Sequence, residues 1–128
     1  MAIWFPGYQT QSMRAALSFA MVIGSLIDSS IAAAQSIDAV RGQRLVAQYQ
    51  CGSCHKIPGV PAAQGVAAPS LEAFGKRSYI AGHLPNRADT LARWIADPKQ
   101  LVADTTMPSM GASAQDARDM AAFLMTLR

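Results

Sequence analysis

Cysteine and histidine are scarce in this 128-residue chain, with two of each, and aromatic side chains make up only 7% of it. A closed structural zinc site needs four ligands. Here it would need both cysteines and both histidines, and would have to draw His83 from an unremarkable loop. The chain has no aromatic residues interleaved with basic ones, so nothing suggests base stacking on nucleic acid. It also has no phosphate-binding loop, no Ser/His/Asp constellation, no paired carboxylates, no internal repeat and no strand-rich segment. The longest uncharged apolar run, Ala15 to Ile27, is short for a bilayer core, which takes about 20 such residues.

Against that background one stretch stands out: Cys51-Gly52-Ser53-Cys54-His55. The spacing C-x-x-C-H is an attachment signature for c-type haem. Two thiols three positions apart can each add to one vinyl group on one edge of the porphyrin. The adjacent His55 then sits under the iron and offers a neutral imidazole nitrogen as proximal ligand. C-x-x-C also occurs in thioredoxin-like redox motifs, which sit in βαβ units, and as half of a zinc site. Of the three readings, haem suits the rest of the chain best. Both cysteines are then consumed as thioethers, and none is left for a disulfide.

Met13-Arg14, the apolar run to Ile27 and the small-residue tract Ile31-Ala32-Ala33-Ala34-Gln35 have the three-part layout of a secretory leader. The expected division is a signal peptide over 1–34, with Met13 as an alternative start, and one domain over 35–128. An uncleaved membrane anchor is the alternative. Export agrees with haem attachment, which in bacteria takes place outside the cytoplasm, so the expected location is the periplasm. A domain this short makes a small core by itself. A buried haem would supply the missing apolar volume, and without it the chain is expected to be largely unfolded.

Periodicity predicts an all-α domain of three or four helices with long loops wrapped around the cofactor. Ser36 to Ala39 offers N-cap choices for a helix over Val40–Gln50, with Leu45, Val46 and Tyr49 on one face. Gly42 inside it fits close approach of another helix, or else a weak start. Ile57–Pro69 reads as a loop round the haem edge, Ser70–Phe74 as one short turn, Gly75-Lys76-Arg77 as a basic turn, and Ser78–Arg87 as loop again. A second helix is predicted over Asn86–Asp97, stopped by Pro98, and Thr105–Gly111 as extended loop. Ser113-Ala114-Gln115-Asp116 resembles a capping box at the head of a last helix reaching about Leu127. On that helix Ala117, Met120, Ala121 and Leu124 form the apolar face, and Asp116, Arg118 and Asp119 the wet side.

With these elements in order, the chain resembles a class I cytochrome c, a small mono-haem electron carrier, over nearly all of Ser36 to Arg128. The resemblance rests on the helix with its internal Gly42, C-x-x-C-H just after it, Pro69-Ser70-Leu71 and the Gly75-Lys76-Arg77 turn. A helix ending in Asp97-Pro98 and the Met107-Pro108 loop before the last helix complete it. It implies one haem c held through Cys51 and Cys54, with His55 as proximal ligand and the Pro69 carbonyl accepting that imidazole's free N–H. Met107 corresponds to the distal axial methionine. Lys76, Arg77, Thr105 and Trp94 are candidates to hold a haem propionate. Gly42 and Val46 would cross Met120 and Phe123. Two departures stand: Ala68 where Gly is common, and Gly42 one residue further from Cys51 than the pattern expects.

Met110 and His83 compete with Met107 for the far side of the iron, and an open or water-ligated site is the remaining possibility. A His/Met pair raises the potential and keeps oxygen and peroxide off the metal, so the work is outer-sphere electron transfer and not catalysis. The expected function is single-electron traffic with a terminal oxidase, a cytochrome bc complex or an exported dehydrogenase. The alternatives are a haem subunit of a larger redox complex, or a small haem enzyme or gas sensor. Contact with a membrane is expected only through partners or the uncleaved anchor. Residues 35–128 carry net charge +3, too weak for a nucleic-acid stripe. Lys56, Lys76, Arg77, Arg87 and Arg93 suggest a basic rim steering the haem edge to an acidic face. Scattered solubilising charge is the competing explanation.

Overall fold

The fold is known from a computed structural model, which describes residues 36–128; the predicted leader lies outside the described residues. Four helices and one small hairpin are arranged in the order α1 (Ala39–Gln48), β1 (Tyr79–Ile80), β2 (Leu84–Pro85), α2 (Ala88–Ala96), α3 (Pro98–Leu101) and α4 (Ala114–Thr126). Single 3₁₀ turns occupy Cys51–Ser53 and Phe74–Lys76. None of the described helices is long and apolar enough to cross a membrane.

Asp38 starts α1: its carboxylate accepts the Val40 and Arg41 backbone N–H groups at 2.8 and 2.9 Å, which satisfies two donors that no earlier turn can reach. Gly42 then faces α4 without a side chain. A Cβ placed there would lie 1.9 Å from the Asp119 carbonyl oxygen. Only glycine lets the two backbones come this close, which decides between the two readings of Gly42. Leu45 and Val46 continue the buried stripe of α1 onto Met120, Ala121, Phe123 and Leu124 of α4. From the other side α2 adds Leu91, Ala92 and Ile95 to the same core.

Several expectations need correction. The first helix stops at Gln48, and Gln50 turns into the left-handed region at φ 55°. The helical turn predicted over Ser70–Phe74 lies further on, at Phe74–Lys76. Ser78–Arg87, read as loop, contains an antiparallel hairpin pairing Tyr79 with Pro85 and Ile80 with Leu84. Its reversal uses two consecutive positive-φ residues, Ala81 and Gly82, the geometry that matches strand twist. Strands of two residues leave no period to detect. The second helix is shorter than predicted, Ala88–Ala96, and Pro98 also opens α3, because its missing N–H costs nothing in a first turn.

The last helix departs most from expectation. Ser113 caps it by accepting the Asp116 N–H at 3.1 Å, but the Asp116 carboxylate does not reach back to complete the box. It accepts the Tyr49 hydroxyl at 2.8 Å and pairs with Arg41. Asp119, expected on the wet side, is 1% exposed. It accepts the Asp38 backbone N–H at 3.0 Å and the Gln115 amide at 2.9 Å, and it too pairs with Arg41. The crossing made possible by Gly42 brings α1 over this side of α4 and covers charges that a lone amphipathic helix would leave in water.

Candidate haem-binding site

The site begins where α1 ends. The left-handed turn at Gln50 reverses the chain into the Cys51–Ser53 turn, which the Cys54 and His55 N–H groups close on the Cys51 carbonyl at 3.3 and 3.0 Å. The segment after it folds back over this turn. Ile57 N–H donates to Ala63 (3.0 Å), Gly65 N–H to Gly52 (3.0 Å), Ala68 N–H to Cys54 (3.0 Å) and Leu71 N–H to Lys56 (2.8 Å). Gly65 allows this contact, since a Cβ there would lie 2.4 Å from the Cys54 carbonyl carbon. A loop without regular secondary structure is thus held by backbone hydrogen bonds against C-x-x-C-H.

His55 Nδ1 lies 2.7 Å from the Pro69 carbonyl oxygen. A carbonyl can only accept, so Nδ1 donates, and Nε2 is the ring nitrogen left to serve as a ligand. Neither cysteine is in a disulfide. Cys51 is half-buried, and burial pushes its thiol pKa up; Cys54 is exposed. Beside the turn, Lys56 pairs with Glu72 at 2.9 Å, and the hydrogen bond and charge of Lys56 hold the Glu72 carboxyl below its usual range.

The other predicted residues fall into two groups. Arg77 donates to the Ser70 and Glu72 carbonyls, and its guanidinium lies 5.3 Å from the Phe74 ring centroid, while Lys76 is exposed on the same turn. In the second group, Thr105 Oγ1 accepts the Met107 N–H at 3.2 Å and Ser109 donates to the Ala96 carbonyl at 3.2 Å. The extended Met107 loop is therefore tied both to itself and to the end of α2. Met107 is half-buried and Met110 is 44% exposed. Trp94 is half-buried against the core, and His83 lies exposed next to the hairpin reversal.

Asn86 was not picked out from the sequence. Its amide N–H groups donate to the Phe74 and Arg77 carbonyls at 2.9 and 3.1 Å, while its Oδ1 is buried without a partner. The helix predicted over Asn86–Asp97 makes it only the first residue of that helix. Its side chain instead holds the Phe74–Lys76 turn.

These residues suit haem c. Two cysteines lie on one turn, and a carbonyl holds the Nδ1 side of the adjacent imidazole. Two methionines in a tethered loop supply soft sulfur, the donor type that pairs with imidazole on haem iron. Among the described residues no three His, Cys, Asp or Glu side chains gather as a protein-only metal site would require.

The chain matches the family described as "Cytochrome c" over residues 39–128. It belongs to that family: it is a class I c-type cytochrome, carrying covalent haem c through Cys51 and Cys54, and its work is electron transfer. It is also similar to a protein described as "Cytochrome c oxidase subunit 2" from Alkalihalophilus pseudofirmus, with 33% identity over 91 residues. That alignment covers 70% of this chain and 26% of the relative, so the chain spans about a quarter of the relative's length.

Proposed function

We propose that this protein is an exported mono-haem carrier, ligated by His55 and Met107, that passes single electrons to or from a respiratory oxidase, a cytochrome bc complex or an exported dehydrogenase. The observation that carries the ligation is the His55–Pro69 hydrogen bond at 2.7 Å. Haem c supplies one-electron Fe(III)/Fe(II) chemistry when bound. The protein's own residues do the rest. Pro69 orients the imidazole and makes its Nε2 a stronger donor. Thr105, Pro108 and Ser109 stiffen the loop that presents the Met107 sulfur. His55 and Met107 would together hold the iron and leave no place for a small-molecule substrate, which favours a carrier over a haem enzyme or gas sensor. Lys76, Arg77, Trp94 and Thr105 remain the candidates for the propionates. Export rests on the leader-like 1–34 segment.

A second reading, a haem c unit held within a larger redox complex, is favoured by the likeness to a stretch of an oxidase subunit 2. Intact mass and visible spectra of protein made with a haem-attachment system test the whole proposal. The expected result is one covalent haem, a chain shortened at the leader, and a weak near-infrared sulfur-to-iron band in the ferric form. A ferrous form that binds CO quickly would overturn the His/Met assignment. Co-purification with catalytic subunits would select the second reading.

A further inference from the structure

Asp116 and Asp119, one turn apart on α4, both pair with Arg41, yet they hold opposite ends of α1. Asp119 accepts the Asp38 backbone N–H at 3.0 Å, just ahead of the first turn of α1. Asp116 accepts the Tyr49 hydroxyl at 2.8 Å, and Tyr49 is the residue that closes α1. The Asp116 side chain is only 15% exposed, so water competes little for this bond. Both partners register it. The carboxylate pushes the Tyr49 hydroxyl up, and the hydroxyl is the chief neighbour holding the Asp116 carboxyl low.

Tyr49 and Asp116 stand at the roots of the two segments that carry the axial ligands. Cys51 follows Tyr49 after a single residue and opens the turn that leads to His55. Asp116 lies in the first turn of α4, its N–H capped by the Ser113 hydroxyl at 3.1 Å, and the extended Met107 loop runs directly into that cap. Among the described residues, Tyr49–Asp116 is the only side-chain hydrogen bond that joins the end of α1 to the start of α4.

Resting on the reading of His55 and Met107 as the axial pair, we propose that Tyr49 and Asp116 are positioning residues for the Met107 sulfur. Their hydrogen bond pins the first turn of α4, and with it the downstream root of the Met107 loop, to the helix end from which the His55 segment departs. The loop cannot carry its sulfur away without pulling on the turn that Ser113 caps, and the bond resists that pull. An outside ligand replaces the sulfur only while the loop is open, so its apparent affinity scales with the open fraction. Losing a hydrogen bond to a charged group raises that fraction about tenfold. Asp119, at the other end of α1, contributes to stability and leaves the loop alone.

Imidazole titration of the ferric holoprotein tests this, with loss of the near-infrared sulfur-to-iron band as the readout at one fixed pH and thermal melting of the same samples alongside. Tyr49→Phe and Asp116→Asn are expected to bind imidazole about tenfold more tightly than wild type. Asp119→Asn is expected to melt lower yet to bind imidazole within about twofold of wild type, because local opening need not follow global stability. Tyr49→Phe removes a single oxygen and decides the matter if Asp116→Asn fails to fold. A Tyr49→Phe affinity within about twofold of wild type overturns the proposal, and so does an Asp119→Asn affinity raised as far as that of Tyr49→Phe. Absence of the band from wild type overturns the Met107 ligation itself, whereas its presence with unshifted affinities overturns only the positioning role.

Discussion

At the scale of single residues, function turns on donors and their neighbours. Replacing Met107 by Ala removes the proposed sulfur ligand, and the ferric protein is expected to lose its near-infrared band and to drop in reduction potential, read by spectroelectrochemistry. Survival of the band would point to Met110, in the same loop. Backbone geometry adds a stability prediction. Ala62 sits at φ 61°, a region that disfavours any residue with a Cβ, and its neighbours hold it there through the Gln64–Ala62 hydrogen bond at 3.0 Å. Ala62→Gly is expected to raise stability by up to about 1 kcal/mol, since relief of the left-handed strain is partly offset by the greater freedom of glycine in the unfolded chain. Thermal melting followed by circular dichroism checks it. Gly42→Ala should act in the opposite sense, costing about 1–3 kcal/mol or more, because the added methyl meets the Asp119 carbonyl and neither backbone can yield cheaply.

At the scale of elements, the α1–α4 contact joins an apolar seam to a cluster of charges. Burial by itself would raise the Asp119 carboxyl, but the Asp38 N–H, Arg41 and Gln115 outweigh it and hold the group low. At Asp116 the Tyr49 hydroxyl, with Arg41 and the Ser113 cap, likewise prevails over burial. A carboxyl that is more acidic folded than unfolded contributes its full stability above the unfolded value, near 4, and loses it as pH falls through the folded value. Acid unfolding is therefore expected to steepen below about pH 4. Asp119→Asn, which keeps the shape and removes the charge, should flatten that acid limb and cost on the order of 1–3 kcal/mol at neutral pH. The cost is moderated because the Arg41 side chain is 39% exposed. An acid limb as steep in Asp119→Asn as in wild type would show that the stabilisation lies elsewhere.

At the scale of the molecule, the described core is small and draws on α1, α2, α4 and the loop residues Ile57, Val60, Ala63 and Leu71. The long segment after the attachment turn is held to it by backbone hydrogen bonds. Anything bound to the folded state alone stabilises it, and here the cofactor is covalently tied. Protein made without haem attachment is expected to melt roughly 20 °C lower, or to show no cooperative transition, in calorimetry. A haem-free chain melting within a few degrees of the holoprotein would mean that the helices suffice by themselves.

What could be read from the chain itself was mostly local or covalent. C-x-x-C-H names its cofactor because thiol addition and imidazole ligation depend on residue type and spacing alone. The helices α1, α2 and α4 declared themselves through a 3.6-residue apolar period, and α4 also through the Ser113 cap, whereas the four-residue α3 is too short to show one. Interactions between distant segments decided the rest. Asp119 looks solvent-facing from its own helix and is buried only because Gly42 admits α1 from 77 positions earlier. Asn86 reads as the first residue of a helix and in fact ties a turn. The Tyr79–Pro85 hairpin has strands too short to show a period. The suggested basic rim could not be judged from a list of lysines and arginines, because their carboxylate and carbonyl partners become visible only in the fold. Residue spacing determines which bonds the chain can make with its cofactor; the packing of its segments determines which side chains are left facing a partner.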